Sequence, residues 1–361
     1  MDKTSLNGLL DALRQTPLPG SGDTLGALKT AIHFDADTNT AQITLPIACQ
    51  SLHDTLRGEL QTRARAHVDT DIDVAITTDI PAFGVQRNLK PLPNISNVIA
   101  VASGKGGVGK STTAANLALA LAAEGARVGV LDADIYGPSM PRMFGLIGER
   151  PSAVDNKRIT PLKNHGVSVM SIGFLVDETA PMVWRGPMVT SALNQLLHQT
   201  DWPALDVLIV DMPPGTGDIQ LTLSQTVPVA GAVIVTTPQD IALSDARKGL
   251  EMFRKVSVNV LGVIENMSLY ICGHCGTPAS LFGEGGGQRL ANDAGTQLLG
   301  ELPLALDIRQ AADSGCPTVA QAPDSEFARH YRQIAISVGV ALARTRKDYS
   351  AAFGHIVVED T

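Results

Sequence analysis

The sequence predicts an α/β protein in which a mostly parallel β-sheet is flanked by helices and preceded by a small α/β domain. Three observations predict this fold. The chain has 361 residues, more than one hydrophobic core usually serves, since single cores stop growing at about 250–300 residues. Short β-branched segments alternate with helical patterns through most of the chain, which is typical of a parallel sheet covered on both faces. A proline-containing stretch separates this region from a shorter mixed region before it.

Residues 1–80 are predicted to form the small α/β domain. Apolar residues in the first turns have the spacing of an amphipathic helix, and later segments have the composition of strands and of a second helix. The predicted elements are a helix with Leu6, Leu9, Leu10 and Leu13 on one face, a strand over 41–47, a helix over 52–66, and a strand with Ile72, Val74 and Ile76.

Residues 81–97 are predicted to be an extended linker, because they contain Pro81, Pro91 and Pro93 and show little periodicity. Residues 98–361 then form the larger domain. We expect its last helix to pack one face on the core, with Phe327, Tyr331, Ile334, Val338 and Leu342 on that face. Its predicted strands are 98–102, 128–131, 167–172, 207–210, 232–236 and 260–264.

Charge and composition exclude several classes of function. The chain has 28 Lys and Arg against 36 Asp and Glu, a formal net charge of −8, so nucleic acid is not an expected partner. Its apolar segments are far shorter than the roughly 20 residues of a membrane span, and residues 1–10 lack the pattern of a signal peptide. Four cysteines are too few for a disulfide scaffold of this size. We therefore expect a cytoplasmic protein without a membrane partner.

A glycine-rich loop follows the first predicted strand of the larger domain. Its sequence matches G-x-x-x-x-G-K-[ST] between a strand and a helix, the context in which this motif binds nucleotide phosphates. Glycines let backbone N–H groups approach phosphate oxygens, and the helix N-terminus adds partial positive charge. Lys110 is expected to reach the β- and γ-phosphates, and Ser111 to ligate Mg²⁺. The predicted ATP-binding residues of the loop are Gly104, Lys105, Gly106, Gly107, Val108, Gly109, Lys110, Ser111 and Thr112.

Two strands end in carboxylates that can serve the metal ion. The apolar strand 207–210 is followed by Asp211, the expected Mg²⁺ ligand, and by a loop with Gly215 and Gly217. The strand 128–131 is followed by Asp132 and Asp134, which are candidates for the metal shell and for orienting the attacking water. Either of these two carboxylates can instead cap the segment after it.

Lys105 is a second lysine in the same loop. Since Lys110 already serves the phosphates, Lys105 can project outward and contact the nucleotide of a second subunit, as an arginine finger does. Hydrolysis would then depend on dimerisation. The alternative is a solvated surface lysine.

Cys272 and Cys275 form a C-x-x-C motif in a glycine-containing loop. This spacing lets both sulfurs bind one metal centre, and a symmetric dimer can supply two further thiolates. A zinc site that uses His274 or the partner's cysteines, and a thiol–disulfide exchange motif, are the alternatives. Cys49 and Cys316 are more typical of buried or loop positions than of ligands.

The motif that starts at Lys105 resembles the deviant Walker A class, which includes MinD, ParA, the nitrogenase iron protein and the Mrp/ApbC iron–sulfur carriers. Three further segments, 132–139, 184–188 and 211–218, resemble Mrp/ApbC in particular. For Trp184 and Arg185 the resemblance offers no secure role, and we treat them as interface or scaffold. Residues 1–80 loosely resemble a small iron–sulfur assembly domain, without its Asp-Pro-Glu type signature, and leave Cys49 as a weak candidate for transient thiol chemistry.

The Mrp/ApbC resemblance implies an ATPase that carries an iron–sulfur cluster, of the 4Fe-4S type, between two subunits and delivers it to apo-proteins. It implies an intermolecular role for Lys105, a role in hydrolysis for Asp134, adenine recognition near Asn266, and cluster ligation by Cys272 and Cys275. The alternative is a positioning ATPase of the MinD or ParA kind without metal. Residues 351–361 contain no Lys or Arg, whereas a membrane-binding tail of that kind is basic.

Overall fold

The computed structural model describes residues 3–68, 72–86, 89–154, 158–176 and 186–345. Within these ranges the chain forms a three-stranded sheet near the amino terminus and a nine-stranded sheet after it. This arrangement confirms the predicted fold class. No helix in the described ranges is both long and apolar enough to span a bilayer.

The small sheet packs against two helices. The helices are α1 (Lys3–Arg14) and α2 (His53–Ala64), and the strands are β1 (Ala31–Asp35), β2 (Thr40–Leu45) and β3 (Asp73–Thr78). Strand β2 is antiparallel to β1 and parallel to β3. Leu9 and Leu13 of α1 and Leu56 and Leu60 of α2 are fully buried, as an amphipathic pattern requires. The predicted helices and strands are confirmed, while β1 was not predicted.

The predicted linker contains no helix or strand in residues 81–86 and 89–94. It packs along the larger domain, since the Phe83 amide donates to Asn97 Oδ1 at 2.9 Å and Gln86 Nε2 donates to the Ser224 carbonyl at 2.9 Å. The first strand of the large sheet is β4 (Ile95–Ala102), which begins inside the predicted linker rather than at residue 98.

The other strands of the large sheet include all five that were predicted after β4. They are β5 (Val128–Asp132), β6 (Leu162–Asn164), β7 (Val167–Ser171), β8 (Leu205–Asp211), β9 (Gly231–Thr236), β10 (Val260–Ile271), β11 (Pro278–Ala279) and β12 (Leu298–Leu304). Sequence reasoning missed the short β6 and β11 and the longer β12.

The strand order places the catalytic candidates side by side. The order is β12-β10-β9-β4-β8-β5-β7-β6, with β11 also paired to β10; β6 and β11 are antiparallel and all other pairings are parallel. Asp211 at the end of β8 pairs with Val101 of β4 on one side and with Asp132 of β5 on the other. Ligand sites of parallel sheets lie at such carboxyl ends.

Helices cover both faces of the large sheet. The last helix buries Tyr331, Ile334, Val338 and Leu342, which confirms the predicted apolar face; Phe327 is half-buried. The helices are α3 (Lys110–Ala123), α4 (Met140–Met143), α5 (Gly186–Gln199), α6 (Asp218–Thr226), α7 (Asp240–Lys255), α8 (Gly286–Asp293), α9 (Leu306–Asp313), α10 (Thr318–Gln321) and α11 (Glu326–Arg344).

Candidate functional site

The glycine-rich loop joins β4 to the N-terminus of α3, as predicted. Gly109 immediately precedes α3 with φ 82°, a left-handed conformation that favours glycine. At Gly104 the loop approaches α7 so closely that an added Cβ would lie 2.1 Å from the carbonyl carbon of Asp245. These two positions therefore require glycine for the path of the loop itself, before any contact with phosphate.

Lys110 and Asp211 meet at the centre of the site. Lys110 Nζ lies 2.5 Å from Asp211 Oδ1 and 3.2 Å from Ser111 Oγ. Asp211 is fully buried, and its Oδ2 has no hydrogen-bond partner among the described residues. A buried carboxylate oxygen without a donor, with a serine hydroxyl on the same lysine, suits a hard cation such as Mg²⁺. Ser111 and Asp211 therefore fit the predicted Mg²⁺ site of a P-loop enzyme.

Asp132 is also fully buried, but its oxygens already have partners. It accepts hydrogen bonds at 3.0–3.2 Å from the Asp134, Ser139 and Met140 amides and from Ser171 Oγ. Burial and the nearby Asp211 raise the pKa of Asp132 to about 7. The arrangement is that of a carboxylate capping the segment after β5, the alternative considered from the sequence, and direct ligation of Mg²⁺ by Asp132 stays a prediction.

Asp134 lies on the other side of Lys110. Its Oδ2 is 4.0 Å from Lys110 Nζ, and its side chain is 14% exposed. Burial raises the pKa of Asp134 above its ordinary value, partly offset by Lys110. The structure thus brings together four of the predicted site residues, Lys110, Ser111, Asp134 and Asp211.

The loop after β8 contacts the glycine-rich loop. The Gly215 amide donates to the Ser103 carbonyl at 3.0 Å, and Gly215 has φ 98°. Ser103 Oγ donates to the Lys105 carbonyl. The side chain of Lys105 is half-buried and makes no ion pair with the described residues.

Asn266 lies beside the glycine-rich loop. Its Nδ2 donates to the Val108 carbonyl at 2.8 Å, and it borders a cavity of about 250 Å³ lined by side chains from several elements. These include Thr112, Asn266, Met267, Leu304 and Tyr331. The cavity abuts the start of α3, where a phosphate would bind, so it suits a nucleotide base. Sequence reasoning identified Asn266 but missed Met267 and Leu304.

Cys272 and Cys275 occupy the tip of the hairpin formed by β10 and β11. The Cys272 amide donates to the Thr277 carbonyl at 3.0 Å, and the Gly276 amide donates to the Cys272 carbonyl at 2.8 Å with Gly276 at φ 69°. Cys272 is half-buried and Cys275 is exposed. Within the described ranges no group of three His, Cys, Asp or Glu side chains is placed to hold a metal ion.

The local environment favours thiolate formation at Cys275. Cys275 Sγ lies 3.2 Å from Thr277 Oγ1, and hydrogen bonds from Thr277 and then from Cys272 lower the pKa of Cys275 below its ordinary value. Cys49 is the opposite case: it is fully buried, and burial raises its pKa to about 12. The structure thus confirms the buried position expected for Cys49, and the raised pKa disfavours the thiolate that thiol chemistry requires.

The remaining predicted residues are Trp184, Arg185 and Cys316. Trp184 and Arg185 lie outside the described residues. Cys316 is half-buried in the turn after α9, where its amide donates to the Ala311 carbonyl, in agreement with a loop position.

Comparison with known sequences shows extensive similarity. A family profile described as the ParA-type NUBPL iron-transfer P-loop NTPase matches residues 94–339. The iron-sulfur cluster carrier protein of Pseudomonas fragi is 60% identical over 270 residues, which cover 74% of this chain and 94% of that protein. That of Salmonella typhimurium is 49% identical over 341 residues, covering 93% and 91%. The mouse iron-sulfur cluster transfer protein NUBPL is 54% identical over 263 residues, covering 72% and 82%.

Solved structures share the fold of the larger domain. A nucleotide-binding protein from Archaeoglobus fulgidus, in complex with ADP, aligns with a TM-score of 0.57 at 36% identity over 66% of this chain and 93% of that one. The cell division ATPase MinD of Pyrococcus furiosus aligns with a TM-score of 0.50 at 21% identity, covering 67% and 98%. At that identity the likeness to MinD shows the fold alone.

Proposed function

This chain belongs to the family of NUBPL-type iron-transfer P-loop NTPases, and on that premise we propose that it is an ATP-hydrolysing iron–sulfur cluster carrier. It holds the cluster between two subunits and passes it to apo-proteins. The observation that carries the proposal is the position of both sites on one strand: β10 contributes Asn266 beside the phosphate-binding loop and ends at Ile271, next to Cys272.

The nucleotide half of the proposal assigns a role to each residue around the loop. The backbone of residues 104–112 and Lys110 bind the phosphates of ATP, and Asn266 borders the base. Ser111 and Asp211 would hold Mg²⁺, which supplies charge neutralisation at the phosphates. Asp134 orients the attacking water, and Lys105 completes the site of a second subunit.

The cluster half of the proposal depends on an incomplete ligand set. Cys272 and Cys275 provide two thiolates, whereas iron–sulfur clusters in proteins are held by four. A second copy of the chain, related by a two-fold axis, supplies the other two. Apolar side chains beside the cysteines, Tyr270, Ile271 and Leu281, are 36, 46 and 59% exposed. Their burial against a second copy would stabilise the dimer.

The cluster is the cargo of this protein, and its recipients are proteins that lack theirs. An exposed hairpin with thiolates at its tip lets an incoming thiolate reach the metal, which a buried four-cysteine site would prevent. The reducing cytoplasm, where free thiols persist, is the compartment that suits this chemistry. Zinc remains an alternative occupant of the paired thiolates, because ligand softness alone does not separate the two metals.

Anaerobic reconstitution with iron and sulfide tests the proposal. We expect visible charge-transfer absorbance, iron and acid-labile sulfide in the dimer fraction, and the loss of all three in Cys272→Ala and Cys275→Ala. Cys316→Ala is the matched control and should bind the cluster like the parent. A colourless parent, or one that binds zinc but no sulfide, would contradict the proposal.

A further inference from the structure

Strand β10 changes its pairing between the nucleotide cavity and the cysteine hairpin. Asn266 pairs with Leu302 of β12, and the next pair is Tyr270 with Leu304, so β10 advances four residues while β12 advances two. Such an irregularity is a β-bulge, a device that bends a strand and redirects the residues after it.

Met267 lies at the start of this bulge and has φ 58°. A residue with a side chain rarely adopts this left-handed conformation, and where it persists the surrounding structure must impose it. The ladder between β10 and β9 ends at Glu265, and the ladder between β10 and β11 begins at Tyr270. Between them Ser268 Oγ donates to the Leu302 carbonyl at 3.1 Å. The bulge is therefore the part of β10 with the fewest pairings to neighbouring strands.

The cavity that suits the nucleotide base is walled by both strands of the bulge. Met267 of β10 and Leu304 of β12 line it, together with Asn266 and Thr112. Leu304 is also the residue that pairs with Tyr270, where the ladder resumes before Cys272. A base in this cavity would therefore lie against Met267 within the bulge and against Leu304, where the ladder resumes.

We propose that Met267 is a positioning residue that couples the nucleotide site to the cysteine pair through the β10 bulge. A base packed on Met267 and Leu304 fixes the bulge in one arrangement and thereby sets the exposure of Cys272 and Cys275. This inference rests on the proposed function and deepens it, since it identifies how ATP controls the cluster-binding hairpin.

Thiol alkylation of the reduced, metal-free protein tests the coupling. The rates for Cys272 and Cys275 are measured by mass spectrometry with and without saturating Mg–ADP, and Cys316 in the same chain reports on the reagent. We expect Mg–ADP to change the rates in the parent by on the order of fivefold or more, the range of ordinary allosteric coupling. In Met267→Gly, which retains the left-handed conformation but removes the wall, the change should fall below about twofold.

Met143→Ala is the matched control. Met143 lines the same cavity from α4 and does not belong to β10. Removing the Met143 side chain should weaken Mg–ADP binding. At saturating Mg–ADP, the change in the alkylation rates of Cys272 and Cys275 should persist. Met267→Asn, whose side chain also tolerates the left-handed conformation, is a second variant and should behave like Met267→Gly.

Two outcomes overturn the inference. One is a parent whose thiols react at the same rate with and without Mg–ADP, and the other is a Met267→Gly protein that retains the full change. Cluster reconstitution and ATP turnover of the same parent separate this failure from that of the proposed function. A parent that binds a cluster and hydrolyses ATP but shows no thiol response refutes the coupling alone, whereas a parent without a cluster refutes the carrier function.

Discussion

Lys110 Nζ lies 2.5 Å from Asp211 Oδ1, with the lysine side chain 6% and the aspartate side chain 0% exposed. Lys110 and Asp211, the residues proposed to bind phosphate and Mg²⁺, thus neutralise each other inside the protein. A buried charge without a partner would cost several kcal/mol, roughly. Phosphate oxygens compete with a carboxylate for a lysine ammonium, so under the proposed function ATP binding weakens this ion pair and leaves Asp211 to Mg²⁺.

The buried pair predicts a stability effect for Lys110→Met that is separate from catalysis. Asp211 would be left with no positive partner and would still be repelled by Asp132. We expect the free energy of unfolding to fall by about 3–5 kcal/mol, measured by denaturant titration, and ATP turnover to be lost.

A double variant separates these two effects. Lys110→Met combined with Asp211→Leu replaces the pair by apolar groups and relieves the repulsion on Asp132, so it should recover most of the lost stability. Turnover should stay absent, because both phosphate and metal contacts are gone. A single variant as stable as the parent would show that the ion pair does not stabilise the fold.

Lys105→Ala should lose turnover without losing stability. Lys105 is half-buried and forms no ion pair within the described part of the chain, so its removal leaves no charge of those residues unpaired. If it acts on the partner's nucleotide as an arginine finger does, turnover should fall on the order of a thousandfold. Steady-state ATPase assays and thermal unfolding measure the two quantities.

Mixing two inactive variants tests whether Lys105 acts between subunits. In a dimer of Lys105→Ala and Lys110→Ala chains, one of the two sites has both lysines. Random exchange should therefore restore about a quarter of the parental rate, since half of the dimers are mixed and each has one complete site. No recovery from two inactive variants would place Lys105 in its own subunit's site, whereas a Lys105→Ala protein with the parental rate would leave it as a surface residue.

Strands rich in β-branched residues were predicted from the sequence. Strands that pairing holds in the sheet despite an unfavourable composition were missed. The β-branched segments at β4, β5, β8 and β9 form the buried centre of the sheet, and each was predicted. Strand β12 has the sequence Leu-Leu-Gly-Glu-Leu-Pro-Leu, which lacks β-branched residues and contains Gly and Pro. Parallel pairing with β10 holds it in the sheet, and such tertiary context outweighs propensity.

The residues of the candidate site likewise fall into two groups: those that a contiguous motif identifies and those whose role depends on contacts between distant parts of the chain. The glycine-rich loop was predicted in full because its residues are contiguous and their chemistry follows from the motif. Capping by Asp132 was only one of two alternatives, and its contact with Ser171 was not predicted, because that donor lies on the neighbouring strand. The positioning role proposed for Met267 likewise depends on the register of β10 against β12, which a local sequence pattern does not determine.

Glu124 links the N-terminal region to the larger domain. Replacing its side chain by alanine is therefore expected to destabilise the protein. Glu124 is fully buried, and its carboxylate accepts hydrogen bonds from the Ser51 amide and hydroxyl at 2.8 and 2.9 Å and from Arg332 Nε at 2.6 Å. Glu124→Ala would remove the acceptor of the Arg332 guanidinium and of both Ser51 donors. Ser51 is exposed and Arg332 is 26% exposed, so water replaces part of these contacts. We expect the free energy of unfolding to fall by about 2–3 kcal/mol in denaturant titration.

An exposed glutamate provides the control. Glu251 pairs with Arg254 at 2.7 Å, but the two side chains are 54 and 42% exposed, and such surface pairs contribute at most about 1 kcal/mol. Glu251→Ala should therefore be nearly neutral. Equal losses in the two variants would mean that the buried contact of Glu124 does not hold the N-terminal region in place.

Cys49 and Cys275 should differ sharply in reactivity. Burial, with a smaller contribution from the Glu124 charge, raises the pKa of Cys49 to about 12, so at pH 8 only about one part in ten thousand of Cys49 is thiolate. Cys275 is exposed and its pKa is lowered. We expect an alkylating reagent to modify Cys275 in the native protein and Cys49 only after unfolding, as peptide mass spectrometry will show.

The same raised pKa predicts how stability changes in alkaline solution. Between the ordinary thiol pKa of 9.0 and about 12, the folded chain keeps the Cys49 proton that the unfolded chain releases, so the unfolded state is favoured as pH rises. Relative to Cys49→Ala, the parent should lose up to about 1.4 kcal/mol per pH unit in this range. Below pH 9 the difference between the two proteins should be constant. Denaturant titrations of both proteins at pH 8 and pH 10 measure this difference, and an unchanged difference would mean that the thiol is not buried as the structure shows.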